Sequence, residues 1–257
     1  MSAPITIAAV QCTPLFDDVP AASAHILSCA RAAVAAGARL ILFPEAWLQG
    51  HSYAAEPIAR RAMAIDDPAI AALARALAPL PITVIAGIFE RRGARLHNSA
   101  MVLAGGAVVG CYAKHDPAEA GCAPGRERPL FDCAGWPFAI SICRDTRSAA
   151  LARDLAGRGA RLLCYPLNNL LPPEAADQWR PRTPDCHAQR ARETGCWVIS
   201  ADVAGHHDGW ISHGSTRIYD PAGAIVAQVS EGATGMALAR IGADHAPAPF
   251  RPAMSTG

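Results

Sequence analysis

Three residues of this sequence, Glu45, Lys114 and Cys143, are of types that together can attack a carbonyl carbon. A cysteine thiol has a pKa of about 8.5 and is mostly protonated at neutral pH, so it needs a base when it reacts. A nearby carboxylate can accept its proton. An ammonium can stabilise the thiolate and then the oxyanion that forms on the carbonyl oxygen. Water would afterwards cleave the thioester, with the same carboxylate as base.

Each of the three residues follows a predicted strand. Apolar segments at 40–43, 108–112 and 138–142 end shortly before Glu45, Lys114 and Cys143, respectively. In α/β folds the carboxyl ends of strands point at a common crevice, where ligands bind. Taken singly, Glu45 is as well explained as a helix cap, and most cysteines among nine are inert core residues. Lys114, however, is the only lysine in the chain, which favours a role that needs a compact ammonium.

Strands and helices alternate along the rest of the chain. Hydrophobic periodicity predicts further strands at 5–11, 83–89, 99–103, 162–165, 196–201, 215–219, 224–229 and 235–241. It predicts helices at 20–36, 68–77, 149–158 and 185–194, a hairpin turn at 104–106 and a turn at 220–223. We therefore predict one α/β domain, residues 1–244, with two packed sheets and helices outside, followed by a tail at 245–257. The proline-rich segment from Pro172 to Pro184 is the best candidate for a flexible or functional loop.

The composition argues against several classes of partner and location. The net charge of the 257 residues is +1, so neither nucleic acid nor an anionic membrane surface is an expected partner. No apolar run approaches the roughly 20 residues of a membrane span, and the first residues lack the pattern of a secretory signal. The nine cysteines are scattered and form no CxxC pair. We therefore expect a reduced, cytoplasmic protein without a disulfide framework or zinc site.

Three segments of the sequence resemble the signature segments of the nitrilase, or carbon–nitrogen hydrolase, superfamily. They are Phe43-Pro44-Glu45, Tyr112-Ala113-Lys114-His115 and Ser141-Ile142-Cys143-Arg144-Asp145. Supporting matches occur at 8–11, 97–100, 214–216 and 220–223. Each segment alone is weakly specific, but the ordered set covers nearly the whole chain and is strongly specific.

The resemblance implies a four-layer αββα sandwich of two mixed sheets with helices on the outer faces. It implies a catalytic Glu45-Lys114-Cys143 triad, with the backbone N–H of Arg144 as a second oxyanion donor beside Lys114. A further active-site glutamate that positions substrate would fall at Glu119, with Glu127 as the alternative. The resemblance also implies a homodimer or higher homo-oligomer, a small amide-type substrate, and no metal or organic cofactor.

The sequence departs from the family pattern around the nucleophile. Nitrilases of the superfamily tend to follow the cysteine with Trp-Glu, whereas this chain has Arg144-Asp145, which is closer to the Tyr-Asp of the amidase and carbamoylase branches. Residues 148–150 replace the usual Arg-Pro-Glu or Phe-Pro-Glu, and residues 115–118 are unusual. We predict hydrolysis of a small linear amide or N-carbamoyl compound. The alternatives are nitrile hydrolysis on the same triad, or a non-catalytic scaffold, in which no cysteine would react with iodoacetamide faster than the others.

Several other residues have two interpretations. Arg144 could pair with Asp145 or a helix end, or bind a substrate carboxylate. Asn168 and Asn169 could hydrogen-bond the substrate or simply form a turn. Trp179 and Trp210 could line a pocket entrance or lie at a subunit interface. A glycine-rich loop holds four side chains that could bind a metal, but their spacing does not support a metal site; they are His206, His207, Asp208 and His213.

Overall fold

The computed structural model describes residues 3–242, which form fourteen strands and five α helices. The first seven strands are β1 (Ile5–Gln11), β2 (Ala38–Leu42), β3 (Thr83–Arg92), β4 (Arg95–Ala104), β5 (Ala107–Ala113), β6 (Phe131–Cys133) and β7 (Trp136–Ile140). The others are β8 (Leu162–Pro166), β9 (Trp197–Ala201), β10 (Gly205–His207), β11 (Trp210–Ser212), β12 (Arg217–Tyr219), β13 (Ile225–Gln228) and β14 (Gly235–Ile241). The helices are α1 (Val19–Ala35), α2 (Ala55–Arg61), α3 (Pro68–Leu77), α4 (Ala149–Gly157) and α5 (Pro173–Thr194).

Two six-stranded mixed sheets pack face to face. The first has the order β14-β1-β2-β3-β4-β5, with β1, β2 and β3 parallel. The second has the order β13-β12-β9-β8-β7-β6, with β7, β8 and β9 parallel. Strands β10 and β11 form a separate hairpin. The parallel strands are buried on both faces, as continuous apolar runs require.

The layers follow from which face of each sheet is apolar. Between the sheets lies a core that includes Ile7, Leu40, Phe138 and Ile199. The outer face of the first sheet packs against α1 and α3, and that of the second against α4 and α5. Burial of these apolar surfaces is the dominant favourable term in folding. The predicted four-layer αββα sandwich is therefore confirmed.

Most predicted elements are confirmed within one or two residues, and α3 and β14 match exactly the predicted 68–77 and 235–241 in both bounds. One prediction is wrong: the segment from Pro172 to Pro184 is not a loop but the first half of α5, which begins twelve residues before the predicted 185. Pro173 suits the first helical turn, where no N–H is needed. Pro181 and Pro184 each remove one backbone donor inside the helix, which packing on the second sheet must offset.

Among residues 3–242, no helix combines the length and the apolar character needed to cross a membrane. The predicted tail at 245–257 lies outside the described residues, so its extent stays a prediction.

Candidate active site

Glu45 lies just beyond the carboxyl end of β2, in a segment that crosses β3 at very close range. A side chain at Gly87 of β3 would collide with the backbone of Pro44, Glu45 and Ala46, so only glycine fits there. The backbone N–H of Glu45 donates to the carbonyl oxygen of Leu167, 3.0 Å away, in the second sheet's loop. This contact holds the Glu45 carboxylate between the ends of the two sheets.

Lys114 follows β5 and is held by a similar close approach. Its carbonyl oxygen accepts the N–H of Gly125 at 2.7 Å, and a side chain at Gly125 would overlap Ala113. The Lys114 ammonium donates to Glu45 Oε1 at 2.6 Å and to Glu119 Oε1 at 2.7 Å. All three side chains are almost completely buried. The ammonium is therefore fixed between two carboxylates, as a group placed to stabilise developing negative charge.

Cys143 is the first residue of a 3₁₀ helix, Cys143–Arg147, that begins two residues after β7. Its φ angle of 45° is unusual for a residue with a side chain and marks a sharp change of chain direction. The predicted strand at 138–142 therefore ends earlier than expected, at Ile140.

Asp145 ties this turn to the segment that carries Lys114. Its Oδ2 accepts the N–H of Ile142 at 3.2 Å, the hydroxyl of Tyr112 at 2.7 Å and the N–H of His115 at 3.1 Å. Its Oδ1 accepts the N–H of Asp116 at 2.8 Å. One buried carboxylate thus links the turn at Cys143 to both sides of Lys114.

The thiol of Cys143 is affected by the charges of Glu45, Lys114 and Glu119. Burial raises its pKa well above the usual value, and the negative charge of Glu45 raises it further. The ammonium of Lys114 and a hydrogen bond from the backbone of Asn168 lower the pKa, but they do not outweigh burial. Lys114 thus lowers the pKa of Cys143, as expected of a group that stabilises a thiolate, but burial outweighs this effect and favours the neutral thiol. An attack by this sulfur would therefore need a base to take its proton.

Glu119 is placed at the Lys114 ammonium, whereas Glu127 is exposed on the surface. His51, which the sequence did not single out, lies 3.1 Å from Glu119 Oε1 through its Nε2. Burial alone would raise the pKa of Glu119, but the hydrogen bond from His51 and the charge of Lys114 hold it well below its usual value. Glu45 Oε1 is occupied by Lys114 and, at 2.7 Å, by the amide of Asn98. The second oxygens, Glu45 Oε2 and Glu119 Oε2, are buried and have no hydrogen-bond partner within the described residues.

Asn168 and Asn169 follow β8, beside Cys143. The side-chain oxygen of Asn168 accepts the N–H of Leu170 at 3.2 Å, so the residue does form a turn. Asn169 donates its backbone N–H and its side-chain amide to the buried Asp202, at 3.0 and 2.6 Å. Burial raises the pKa of Asp202 to about 6, although the hydrogen bonds from Asn169 oppose the rise. Contact of either asparagine with substrate stays a prediction.

Arg144 pairs with neither Asp145 nor a helix end. Its Nε donates to Asp116 Oδ2 at 2.7 Å, and its side chain is 45% exposed. It is not among the residues that line the two cavities beside the site. Recognition of a substrate carboxylate by Arg144 stays a prediction, and that role would require it to exchange its present partner.

Two cavities adjoin the site. The larger, about 240 Å³, includes Phe16, His51, Tyr53, Leu170 and Trp210 in its walls. Burial and then the nearby Cys143 sulfur raise the pKa of the Tyr53 hydroxyl, so Tyr53 lies close both to this cavity and to Cys143. The smaller, about 20 Å³, is bounded in part by Cys143, Asn169 and Trp179. Trp179 and Trp210 thus each line a cavity.

One cluster among residues 3–242 has the donor set and spacing of a metal site: Glu45, His51 and Glu119. The Lys114 ammonium already contacts both of its carboxylates, so the cluster holds a cation that the chain itself supplies. The histidines of the glycine-rich loop are elsewhere: His206 and His207 lie on β10, and His213 pairs with Asp177 at 2.8 Å.

Comparison with known proteins gives a family and a fold. Residues 6–248 match the family described as Carbon-nitrogen hydrolase. Human deaminated glutathione amidase is 36% identical over 121 residues, which are 46% of this chain and 34% of that protein. The chloroplastic omega-amidase of Arabidopsis thaliana is 30% identical over 230 residues, 79% of this chain and 58% of that protein. The match thus spans about a third of the human relative's length.

Solved structures show the same fold at low sequence identity. An amidase from Nesterenkonia sp. superposes with a TM-score of 0.80 at 23% identity, over 94% of this chain and 91% of that chain. Saccharomyces cerevisiae Nit3, a member of branch 10 of the nitrilase superfamily, superposes with a TM-score of 0.81 at 19% identity, over 93% and 90% of the two chains.

Proposed function

We propose that this chain, which belongs to the carbon–nitrogen hydrolase family, hydrolyses the C–N bond of a small linear amide or N-carbamoyl compound through a covalent intermediate on Cys143. The observation that carries the proposal is the convergence of four groups from three segments that are far apart in the chain. Glu45 and Glu119 share the Lys114 ammonium, and the charges of all three act on the Cys143 thiol. Perturbed titratable groups of this kind, gathered beside a cavity, are typical of active sites.

In the first half of the reaction, the neutral thiol loses its proton as it attacks. Glu45 Oε2, which has no hydrogen-bond partner among residues 3–242, accepts this proton while the sulfur bonds to the substrate carbonyl carbon. The carbonyl oxygen becomes an oxyanion, stabilised by the Lys114 ammonium and the backbone N–H of Arg144. When the C–N bond breaks, the departing nitrogen takes the proton from Glu45. Ammonia or an amine leaves, and a thioester or carbamoyl-enzyme remains.

In the second half, water replaces the amine. Glu45 takes a proton from the water molecule while the water oxygen attacks the thioester carbonyl carbon. Lys114 again stabilises the oxyanion. The C–S bond then breaks and the sulfur recovers its proton from Glu45, which releases the acid and restores the starting state. Glu119 accepts an N–H of the substrate amide through Oε2, which no group in the described part of the chain occupies, and so orients the carbonyl carbon toward the sulfur.

The cavity supports a small substrate. Its volume of about 240 Å³ lies below the usual 300–1,000 Å³ of drug-sized sites. Its walls include three aromatic side chains, from Phe16, Tyr53 and Trp210. A compact substituent therefore fits beside the scissile amide.

The test is ammonia release from a panel of amides, N-carbamoyl amino acids and nitriles, by the wild-type protein and by Cys143→Ala. We expect release from at least one amide or carbamoyl substrate, none by the variant, and an unchanged circular dichroism spectrum. Mass spectrometry of acid-quenched enzyme should find the acyl group on the peptide that holds Cys143. Undiminished hydrolysis by Cys143→Ala would refute the mechanism. Release from nitriles alone would reassign the substrate class.

We also propose that the chain works in a reducing compartment, the cytoplasm, as a homo-oligomer. The nine cysteines are all free, which suits a reducing environment. Val109, Ile225 and Val226 are large apolar side chains about half exposed, and exposed apolar side chains are common at subunit contacts. Light scattering of the purified protein should give a mass of two or more chains, and a monomer would contradict the proposal.

A further inference from the structure

His51 is a buried histidine in direct contact with the proposed catalytic groups. Its side chain is 4% exposed, and its Nε2 lies 3.1 Å from Glu119 Oε1 and 3.8 Å from Glu45 Oε1. An ionised carboxylate can only accept, so Nε2 carries the hydrogen and donates it to Glu119. The ring is held edge-on to Tyr53, at 4.7 Å between centroids, and against Phe89 at 5.9 Å.

The two oxygens of Glu119 have different surroundings. Oε1 accepts from both Lys114 and His51, at 2.7 and 3.1 Å. Oε2 is buried and has no partner within residues 3–242. Two donors on the same oxygen prevent the carboxylate from rotating about its bond to the side chain. Its other oxygen therefore keeps one fixed direction.

We propose that His51 is a positioning residue, which donates its Nε2–H to Glu119 so that this carboxylate stays ionised with Oε2 directed at the substrate N–H. The inference rests on the proposed function, since it assigns His51 to the same site. This role is separate from that of the Glu45-Lys114-Cys143 triad, because His51 acts on the substrate only through Glu119.

The charges of the cluster explain why a further donor is needed. Two buried carboxylates share one ammonium, so one negative charge lacks a matching cation. An uncompensated buried carboxylate takes up a proton unless hydrogen bonds favour its charged form. If Glu119 were protonated, it would present a donor where the substrate N–H needs an acceptor. The bond from His51 prevents this.

The decisive comparison is between His51→Phe and His51→Gln. Phenylalanine keeps a ring against Tyr53 and Phe89 but removes the donor, whereas glutamine keeps an N–H and removes the ring. If His51 acts by donating, His51→Phe should lower kcat/KM by about ten- to a hundredfold, the effect of losing a hydrogen bond to a charged group. His51→Gln should recover most of that loss. The reverse order, with Phe active and Gln inactive, would mean that His51 only packs.

The pH profile separates positioning from packing. Without the donor the pKa of Glu119 rises, so the acid limb of kcat/KM should move to higher pH in His51→Phe and stay near its wild-type position in His51→Gln. The titratable groups that face Glu119 are Lys114, Glu45, His51, Tyr53, Cys122 and Cys143. His25→Phe is the control for the loss of a histidine elsewhere, because His25 is an exposed residue of α1 whose contacts include Cys29 and Trp47. The inference would be overturned if the acid limb of kcat/KM kept its pH position in His51→Phe, or if it shifted by the same amount in the control.

A double-mutant cycle tests the inference without turnover. Thermal unfolding of the wild type, His51→Phe, Glu119→Gln and the double variant gives the coupling between the two side chains. We expect His51→Phe to lower the Tm less in the Glu119→Gln background than in the wild type. Additive changes would refute the contact with Glu119. Coupling together with no hydrolysis of any amide would refute the proposed function and leave the pairing intact.

Discussion

The carboxylate of Asp145 should be as important for activity as for stability, although it touches no reacting atom. It accepts four hydrogen bonds, three of them from backbone N–H groups that flank Cys143 or follow Lys114. In Asp145→Asn, one oxygen becomes an NH₂ group that faces a donor. If the remaining oxygen takes the Oδ2 position, the N–H of Asp116 loses its acceptor, and the other three bonds lose the carboxylate charge.

The magnitude follows from these contacts. Hydrogen bonds to charged groups contribute about 1.5–3 kcal/mol each, and an unsatisfied buried donor costs about 1–3 kcal/mol. We therefore expect Asp145→Asn to lose about 2–4 kcal/mol of unfolding free energy. In a chain of this size that lowers the Tm by about 5–15 °C. A shift of the nucleophile's turn by about 1 Å can cost about a hundredfold in rate, so kcat/KM should fall by a similar factor.

The assay is differential scanning calorimetry together with ammonia release at saturating and limiting substrate. Tyr112→Phe is the matched control, because it removes only the phenol donor to Asp145. We expect it to cost about 1.5–3 kcal/mol of unfolding free energy but to leave the backbone contacts in place, and with them kcat/KM. If Asp145→Asn behaves like Tyr112→Phe in both Tm and kcat/KM, the view that Asp145 holds the nucleophile's turn to Lys114 is wrong.

Two other predictions follow from the buried charges. Lys114→Ala should lower kcat/KM by more than tenfold (about 1.4 kcal/mol), because the oxyanion loses its cation; Lys114→Arg should not restore it, since a planar guanidinium cannot replace an ammonium held between two carboxylates. A loss below tenfold in initial rates would contradict this role. For Asp202, burial raises the folded-state pKa to about 6 from 3.8. The contribution of Asp202 to the free energy of unfolding is therefore fully present below about pH 4, and it is lost as the pH rises through 6. Relative to wild type, Asp202→Asn should therefore be about 1–3 kcal/mol more favourable at pH 8 than at pH 4, with the altered hydrogen bond to the Asn169 amide affecting both pH values alike; urea unfolding that shows the same difference at both pH values would argue against a titrating Asp202.

Much of the fold could be predicted because the buried strands are short apolar runs that end in turn residues. The exits of β2, β5 and β7 could likewise be located, and with them Glu45, Lys114 and Cys143. Helix α5 could not, because Pro181 and Pro184 contradict helical propensity, and only packing against the second sheet offsets their missing donors.

The rest of the site is set by contacts that local sequence does not encode. His51 is a single histidine in a segment without regular structure, and its partner Glu119 is 68 residues away. Asp145 was visible as a neighbour of Cys143, but its four donors come partly from the segment after β5. Glu119 was expected from family resemblance, and only the three-dimensional arrangement distinguishes it from the exposed Glu127.

The β10–β11 hairpin suggests how proteins built like this one can change their preferences. It carries His207 and Trp210 in the cavity wall, yet it pairs with neither large sheet. Its contacts with the body include the bridge from Leu171 to Ile211, the stacking of Phe16 on His207, the ring contact of Tyr53 with Trp210 and the hydrogen bond from Ser212 to the carbonyl oxygen of Val203. Its length and sequence can therefore vary without disturbing strand register in the sandwich. Evolution, or a designer, can exchange this one ribbon as a module and redirect selectivity while the reacting groups stay where they are.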